Sequence, residues 1–153
     1  MDYRILKELS QEGRLSDVAL AERINLSSTA VARRRRLLEE DGFISGYHAD
    51  VHLESLGLSG TVIVSIELAS QADTKLMEFE SEVAKCPSVS FCGFVSGDTD
   101  FILMVHVDDF KDYDRIYRKE LSILPHVARI RSSFVMREVT GWRVAPIAFQ
   151  APD

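Results

Sequence analysis

Cysteine is scarce in this chain: 153 residues contain only Cys86 and Cys92. Two are too few for a disulfide framework, and their spacing is wrong for a zinc knuckle, which needs two close Cys/His pairs. Both are expected to be ordinary reduced thiols, since free cysteine is among the most buried residue types. No apolar run approaches the roughly 18 residues of a membrane span, and Met1-Asp2-Tyr3-Arg4 lacks the basic-then-apolar layout of a signal peptide. A cytoplasmic protein without membrane contact is expected. There is no Walker loop and no dinucleotide glycine motif, which argues against nucleotide-dependent catalysis. The histidines, His48, His52, His106 and His126, are scattered, with no Ser/His/Asp spacing and no paired ligand motif, so neither a catalytic nor a metal site is expected. The lone Trp142 reads as a packing anchor for the C-terminal tail. What the chain does have is apolar material, 46% hydrophobic against 27% charged, enough for one medium domain or two small ones.

Net charge is −6, which argues at first against a polyanionic partner. The sum hides the distribution. Residues 1–48 carry eight Lys/Arg and eight Asp/Glu, whereas 49–153 carry ten and sixteen, so the whole deficit lies in the second part. Half of the N-terminal positive charge falls in one run, Arg33-Arg34-Arg35-Arg36, and a phosphate backbone would meet that patch, not the average.

The first fifty residues read as three helices. Ile5, Leu6 and Leu9 give an apolar stripe between Asp2 and Gln11, and Gly13 follows as a stop. Ser16 is placed to cap a second helix, with Asp17 favourable to its dipole and Val18, Leu20, Ala21 and Ile24 at helical spacing. Asn25 tolerates the left-handed conformation that ends a helix, and Ser27 can cap the next, which leaves a turn of about three residues. This is helix-turn-helix spacing. In the third helix, about Ser28 to Asp41, Val31 and Leu38 mark the core side. At 100° per residue, Thr29, Arg33, Arg36 and Glu40 then point away, while Arg34 and Arg35 flank the core and are expected to carry their charge to the rim. Ser28 and Thr29 with Arg33 suit base edges, the remaining arginines suit phosphates, and Ser27 and Ala32 complete the residues expected at the DNA. Phe43 to Tyr47 alternates and is expected as a strand of a wing.

From Gly60 the period changes to two. Val62, Val64, Ile66 and Leu68 form one face of a strand, and Thr61, Ile63, Ser65 and Glu67 the other. A helix follows from Asp73 to Lys85, with Leu76, Phe79 and Val83 as its stripe. Next come a strand from Val89 to Val95, the turn Ser96-Gly97-Asp98-Thr99-Asp100, and a strand from Phe101 to Val107. A second helix carries Phe110, Tyr113, Tyr117 and Leu121 on one stripe, and a last strand is expected from Val127 to Val139. Strand, helix, strand, twice over, predicts a ferredoxin-like sheet with helices on one face. The fold class is therefore α+β: a winged helix-turn-helix over 1–48, a linker over 49–59, a βαββαβ domain over 60–140, and a tail over 141–153. The second sheet face, with Ile63, Ile102 and Met104, is too apolar to be left wet. A second copy of the chain is its expected cover, with the first helix folding back as the alternative.

Taken in order, Asp2-x-x-Ile5-Leu6-x-x-Leu9, Gly13-Arg14-Leu15-Ser16, Leu26-Ser27-Ser28-Thr29, Arg33-Arg34, Leu38-Glu39-x-x-Gly42-Phe43-Ile44, Val95-Ser96-Gly97-Asp98-x-Asp100-Phe101 and Leu124-Pro125-x-Val127 resemble the Lrp/AsnC family, the feast/famine regulators. The resemblance spans nearly the whole chain. It implies a transcription factor whose N-terminal part binds double-stranded DNA and whose C-terminal part dimerises and binds a small effector, often an amino acid, with tetramers or octamers common. It also implies an effector site at Ser96, Gly97, Asp98, Thr99 and Asp100, with Ser133 and Val135 across the pocket, and no cofactor. Asp98 or Asp100 suits a ligand ammonium, and the amides around Gly97 suit its carboxylate. Two positions depart from the family pattern: Arg35 stands where an aliphatic residue is usual, and Leu37 where a basic one is. Either the helix is rotated or Arg35 reaches an acidic partner. The short leader common in relatives is also missing before the first helix, so its contacts are not expected.

Two other readings compete. Sirohaem decarboxylases resemble this family in both domains, although an arginine-rich third helix serves no decarboxylase. A binding module without DNA activity, acting by subunit exchange, is the other.

Overall fold

The computed structural model describes residues 2–141 and 143–150, so the role expected of Trp142 lies outside the described residues. The chain divides into two compact units. One holds the residues up to Asp50 together with the segment from Thr140 onward; the other is Val51–Val139.

Three helices build the first unit: α1 (Tyr3–Gln11), α2 (Asp17–Ile24) and α3 (Ser28–Glu40). Their ends are set by local chemistry. The Ser16 hydroxyl accepts the Ala19 N–H at 3.2 Å, and the Ser27 hydroxyl accepts the Ala30 N–H at 3.3 Å, each satisfying a donor that the first turn leaves open. Asn25, at φ 58°, supplies the left-handed residue that ends α2. Ile5, Leu20, Ile24, Val31 and Leu38 then meet in one buried cluster.

The wing strand expected at Phe43–Tyr47 is not formed, and among the described residues 43–50 carry no strand. Alternation alone makes no strand without a ladder partner. Here the segment binds its own unit instead. The Ile44 N–H donates to the Leu38 carbonyl at 3.0 Å, Ile44 packs on the cluster, and the Tyr47 hydroxyl donates to Glu39 at 2.8 Å. The C-terminal segment also returns to this unit. It forms a short 3-10 turn at Pro146–Phe149. There Val144, Ala148 and Phe149 face Leu6, Leu9 and Phe43 across a cavity of about 360 Å³. Apolar side chains of α1 beyond the core cluster give it something to pack on.

The second unit begins with a 3-10 turn, Leu53–Leu56, inside the stretch read as linker. Its sheet comprises β1 (Gly60–Leu68), β2 (Val89–Phe94), β3 (Phe101–Val107) and β4 (Val127–Phe134) in the order β2-β3-β1-β4, every pair antiparallel. Helix α4 (Asp73–Val83) links β1 to β2. Helix α5 (Phe110–Ile116), extended by a π turn at Tyr117–Leu121, links β3 to β4. Along β1 the alternate residues Val62, Val64, Ile66 and Leu68 are buried. They share a core with Phe79 and Val83 of α4 and with Tyr113 and Ile116 of α5. The other face carries Ile63, Ile102 and Met104, only half-buried, and Phe91, exposed.

Two expectations need correcting. β4 stops at Phe134 and not at Val139, because its partner runs out: Phe134 stands opposite Val62, the Val135 N–H makes the next bond to Thr61, and β1 begins at Gly60. The α5 stripe is also different. Phe110 is 73% exposed at the start of the helix, its ring 4.6 Å from that of Phe134, while Tyr113, Ile116 and Leu121 are buried. The π turn shifts the phase of the last residues relative to a uniform 3.6-residue period.

Phe79 is fully buried, with its ring centroid 4.5 Å from that of Phe101. Phe79→Ala is expected to cost about 3–5 kcal/mol in urea unfolding through the cavity it leaves. Met77→Ala, on the same helix but 67% exposed, should change stability by less than about 0.5 kcal/mol.

Candidate nucleic-acid interface and ligand turn

Helix α3 sorts the residues expected to meet DNA into two groups. Ser27, Ser28, Thr29, Ala32, Arg33 and Arg36 are exposed, whereas Arg34 and Arg35 are half-buried. Ser27 is occupied as the cap, its hydroxyl also 3.2 Å from that of Thr29. Arg33 makes no ion pair among the described residues. Arg36 has only Glu40, one turn on, at 3.5 Å, with both side chains more than half exposed. An exposed pair of this kind contributes about 0–1 kcal/mol and leaves the guanidinium available.

The inner two arginines do not carry their charge to an open rim. Arg34 pairs with Asp2, just before α1. Arg35 donates from Nη2 to the Leu15 carbonyl at 2.7 Å, and its Nε lies 3.1 Å from Asp17 Oδ1 in the first turn of α2. That last contact attracts as charge but is not aligned as a hydrogen bond. Arg35 thus reaches an acidic partner, and α3 need not rotate: Val31 and Leu38 stay buried. Sequence reasoning missed Asp2 and Asp17 as partners. The one signal for them was an arginine on the core edge, which needs a counter-charge.

The turn between β2 and β3 also divides. Ser96, Gly97 and Asp98 are exposed, with Gly97 at φ +127°, where a side chain would be strained. Thr99 and Asp100 face inward. The Thr99 hydroxyl donates to the Ile66 carbonyl at 2.7 Å. Asp100 is 5% exposed, and its carboxylate accepts the Leu68 N–H and the Gln71 side-chain N–H, each at 2.7 Å. Of the two carboxylates considered for a ligand ammonium, Asp100 is engaged inside the fold and Asp98 is open. Ser133 and Val135 are not brought to the turn within one chain. Ser133 stands opposite Ile63, and Val135 bonds to Thr61. Asp100 bonds at Ile66 and Leu68. At about 3.3 Å per residue the Ser133 position lies roughly 10 Å along β1 from Ile66, and the Val135 position roughly 16 Å.

Both cysteines are free and partly buried. Burial pushes the Cys92 thiol up to about 11, with Glu80 and Cys86 adding to the shift, so it stays protonated near neutral pH. Among the described residues no group of three or more His, Cys, Asp or Glu could hold a metal ion. None of their helices is long and apolar enough to cross a membrane.

Comparison with known proteins bears on both surfaces. Residues 1–45 match a family model described as winged helix-turn-helix DNA-binding, and residues 61–141 match one described as Lrp/AsnC ligand binding domain. The chain is 37% identical to the Bkd operon transcriptional regulator of Pseudomonas aeruginosa over 139 residues, 91% of each protein. It is 39% identical to the leucine-responsive regulatory protein of Klebsiella pneumoniae, covering 91% of this chain and 85% of that one. A transcriptional regulator of Neisseria meningitidis, solved as a complex with L-Met, superposes with a TM-score of 0.90 at 29% identity, covering 95% of this chain and 94% of that one.

Asp100→Ala strands a buried N–H and the Gln71 amide, and should cost about 1–3 kcal/mol of stability. Asp98→Ala should leave stability within about 0.5 kcal/mol. Denaturant unfolding of the two variants side by side checks this division of the turn.

Proposed function

Starting from the membership of this chain in the Lrp/AsnC family of transcriptional regulators, we propose that α3 reads duplex DNA with its outward face and that the turn after β2 takes an amino acid. A regulator is not an enzyme, and the tetrapyrrole-decarboxylase reading is set aside with it. The carrying observation is that Thr29, Arg33 and Arg36 stand exposed on α3 while Val31 and Leu38 are buried. Ser28, Thr29 and Ala32 would lie at base edges beside the helix N-terminus, whose open N–H groups favour phosphate. Arg33 reads a base edge and Arg36 a phosphate, and affinity falls steeply with salt as counterions are released.

The exposed amides at Ser96 and Gly97 and the open carboxylate of Asp98 suit an amino acid's two charged groups. Because Ser133 and Val135 lie roughly 10 and 16 Å along β1 from the point where this turn is anchored, a second copy of the chain is the simpler way to bring both sets to one pocket. The half-buried apolar face of the sheet supports the same need, through a dimer closed face to face. Higher assemblies, tetramer or octamer, would then be biased by the effector, which shifts the balance only by its differential affinity, typically about 1–3 kcal/mol. The site of action is the cytoplasm, where the DNA is. Methionine, bound by the neisserial relative, and leucine are the first effectors to try.

Fluorescence anisotropy with operator and scrambled duplexes tests the DNA face. Arg33→Ala should weaken operator binding by about 1–3 kcal/mol and narrow the preference for operator, while Arg36→Ala weakens both duplexes about equally. No change in either variant would overturn the assignment. For the effector, sedimentation and DNA affinity should shift with at least one amino acid. Identical profiles across all of them would remove that half of the reading.

A further inference from the structure

Four consecutive arginines on one helix invite the view that all of them neutralise phosphate, and the contacts of the inner two point elsewhere. Arg34 and Arg35 project about 100° apart around α3. They reach in different directions, Arg34 to Asp2 at the start of α1 and Arg35 to Asp17 at the start of α2. The Arg35 guanidinium also holds the Leu15 carbonyl in the loop between those helices, at 2.7 Å, and its side chain is only 19% exposed.

One turn further along, Glu39 accepts the Tyr47 hydroxyl at 2.8 Å, and the Tyr47 ring lies over Gly13 of the same loop, where an added Cβ would come within 3.5 Å of it. Burial and the bond to Glu39 push the Tyr47 phenol up to about 12, so it remains a neutral donor, and Arg35 and Asp17 lie near enough to be felt there. Asp17, Arg35, Glu39 and Tyr47 therefore close a polar cluster over the α1–α2 loop.

We propose that Arg34 and Arg35 are positioning residues, a pair of ionic arms that hold α3 against α1 and α2, and that Arg33 and Arg36 alone of the run neutralise phosphate. This rests on the DNA-binding reading above. Arg35 cannot turn to a phosphate without giving up its bond to the Leu15 carbonyl and its ion pair with Asp17, the two paired side chains being 19% and 36% exposed, and the carbonyl bond made by a charged group is the costlier of the two to lose.

The test is the salt dependence of duplex affinity, measured on the full chain. Each neutralised phosphate contributes about 0.9 to the slope of log affinity against log salt, and Arg33→Gln should lower the slope by about one. Arg34→Gln, Arg35→Gln and Asp17→Asn should each weaken binding about 3- to 30-fold at every salt with no change of slope, a slope lowered by about one in Arg34→Gln would overturn the assignment for that arm, and the Arg35/Asp17 double variant should be no weaker than the worse single. Arg35→Lys keeps the charge but cannot span the Leu15 carbonyl and Asp17 together, so it should behave like Arg35→Gln. Circular dichroism of each variant at every salt concentration used confirms that it is folded, so that the slope reports binding alone.

A slope lowered by about one in Arg35→Gln, near-normal binding by Arg35→Lys, and tighter binding by Asp17→Asn would together mark a phosphate contact and overturn the clamp alone. A wild-type chain without salt-dependent DNA affinity would overturn the DNA reading, and the clamp with it.

Discussion

The burial of Val31 and Leu38, seven residues and two turns apart, fixes how α3 is rotated about its axis. Each such side chain stabilises by about 1.5–3 kcal/mol when removed from water. An exposed ion pair contributes about 0–1 kcal/mol. Apolar contact therefore decides the rotation, and the arginines take the directions that remain: two outward, two along the core edges where acidic residues meet them. The basic outer face of the unit follows from its core. Were the helix turned by one residue, the outward pair would change and the inner pair would lose Asp2 and Asp17.

A related constraint organises the second unit. Period-two alternation along β1 and β3 sends Val62, Val64, Leu103 and Val105 under α4 and α5 and leaves Ile63, Ile102 and Met104 on the other side. Helices of a βαββαβ unit lie on one face only, so half of the sheet's apolar surface has no cover from its own connections. That geometry leaves the apolar face for the proposed second copy to cover, and it separates the turn after β2 from the far end of β4 within any single copy.

Local chemistry was legible in the sequence. Ser16, Ser27 and Asn25 begin and end helices through bonds to residues at most a few positions away, and those ends stand where the spacing put them. The four strands and two helices of the second unit were equally readable, because their periods are local. What lay beyond reach was pairing across the chain. Arg34 meets a residue 32 positions earlier and Arg35 one 18 positions earlier, and only the unusual presence of charge on the core edge hinted at either. By composition the Gly97-Asp98 turn is an ordinary hairpin turn, and only the family resemblance marks it as a ligand loop; neither says that Asp100 binds the Leu68 N–H, 32 residues before it. The alternating stretch after Gly42 had the pattern of a strand and no neighbour to pair with. The far end of β4 was overrun for the same reason: a pattern does not say where its partner stops.

The most direct measurement is an amide chemical-shift map of the full chain titrated with a short operator duplex. The expected result is a contiguous set of shifted amides over residues 27–36, strongest at Ser28, Thr29, Arg33 and Arg36, with little change along the faces of β1 and β3. Shifts concentrated in the sheet, or an α3 unaffected by saturating DNA, would contradict it.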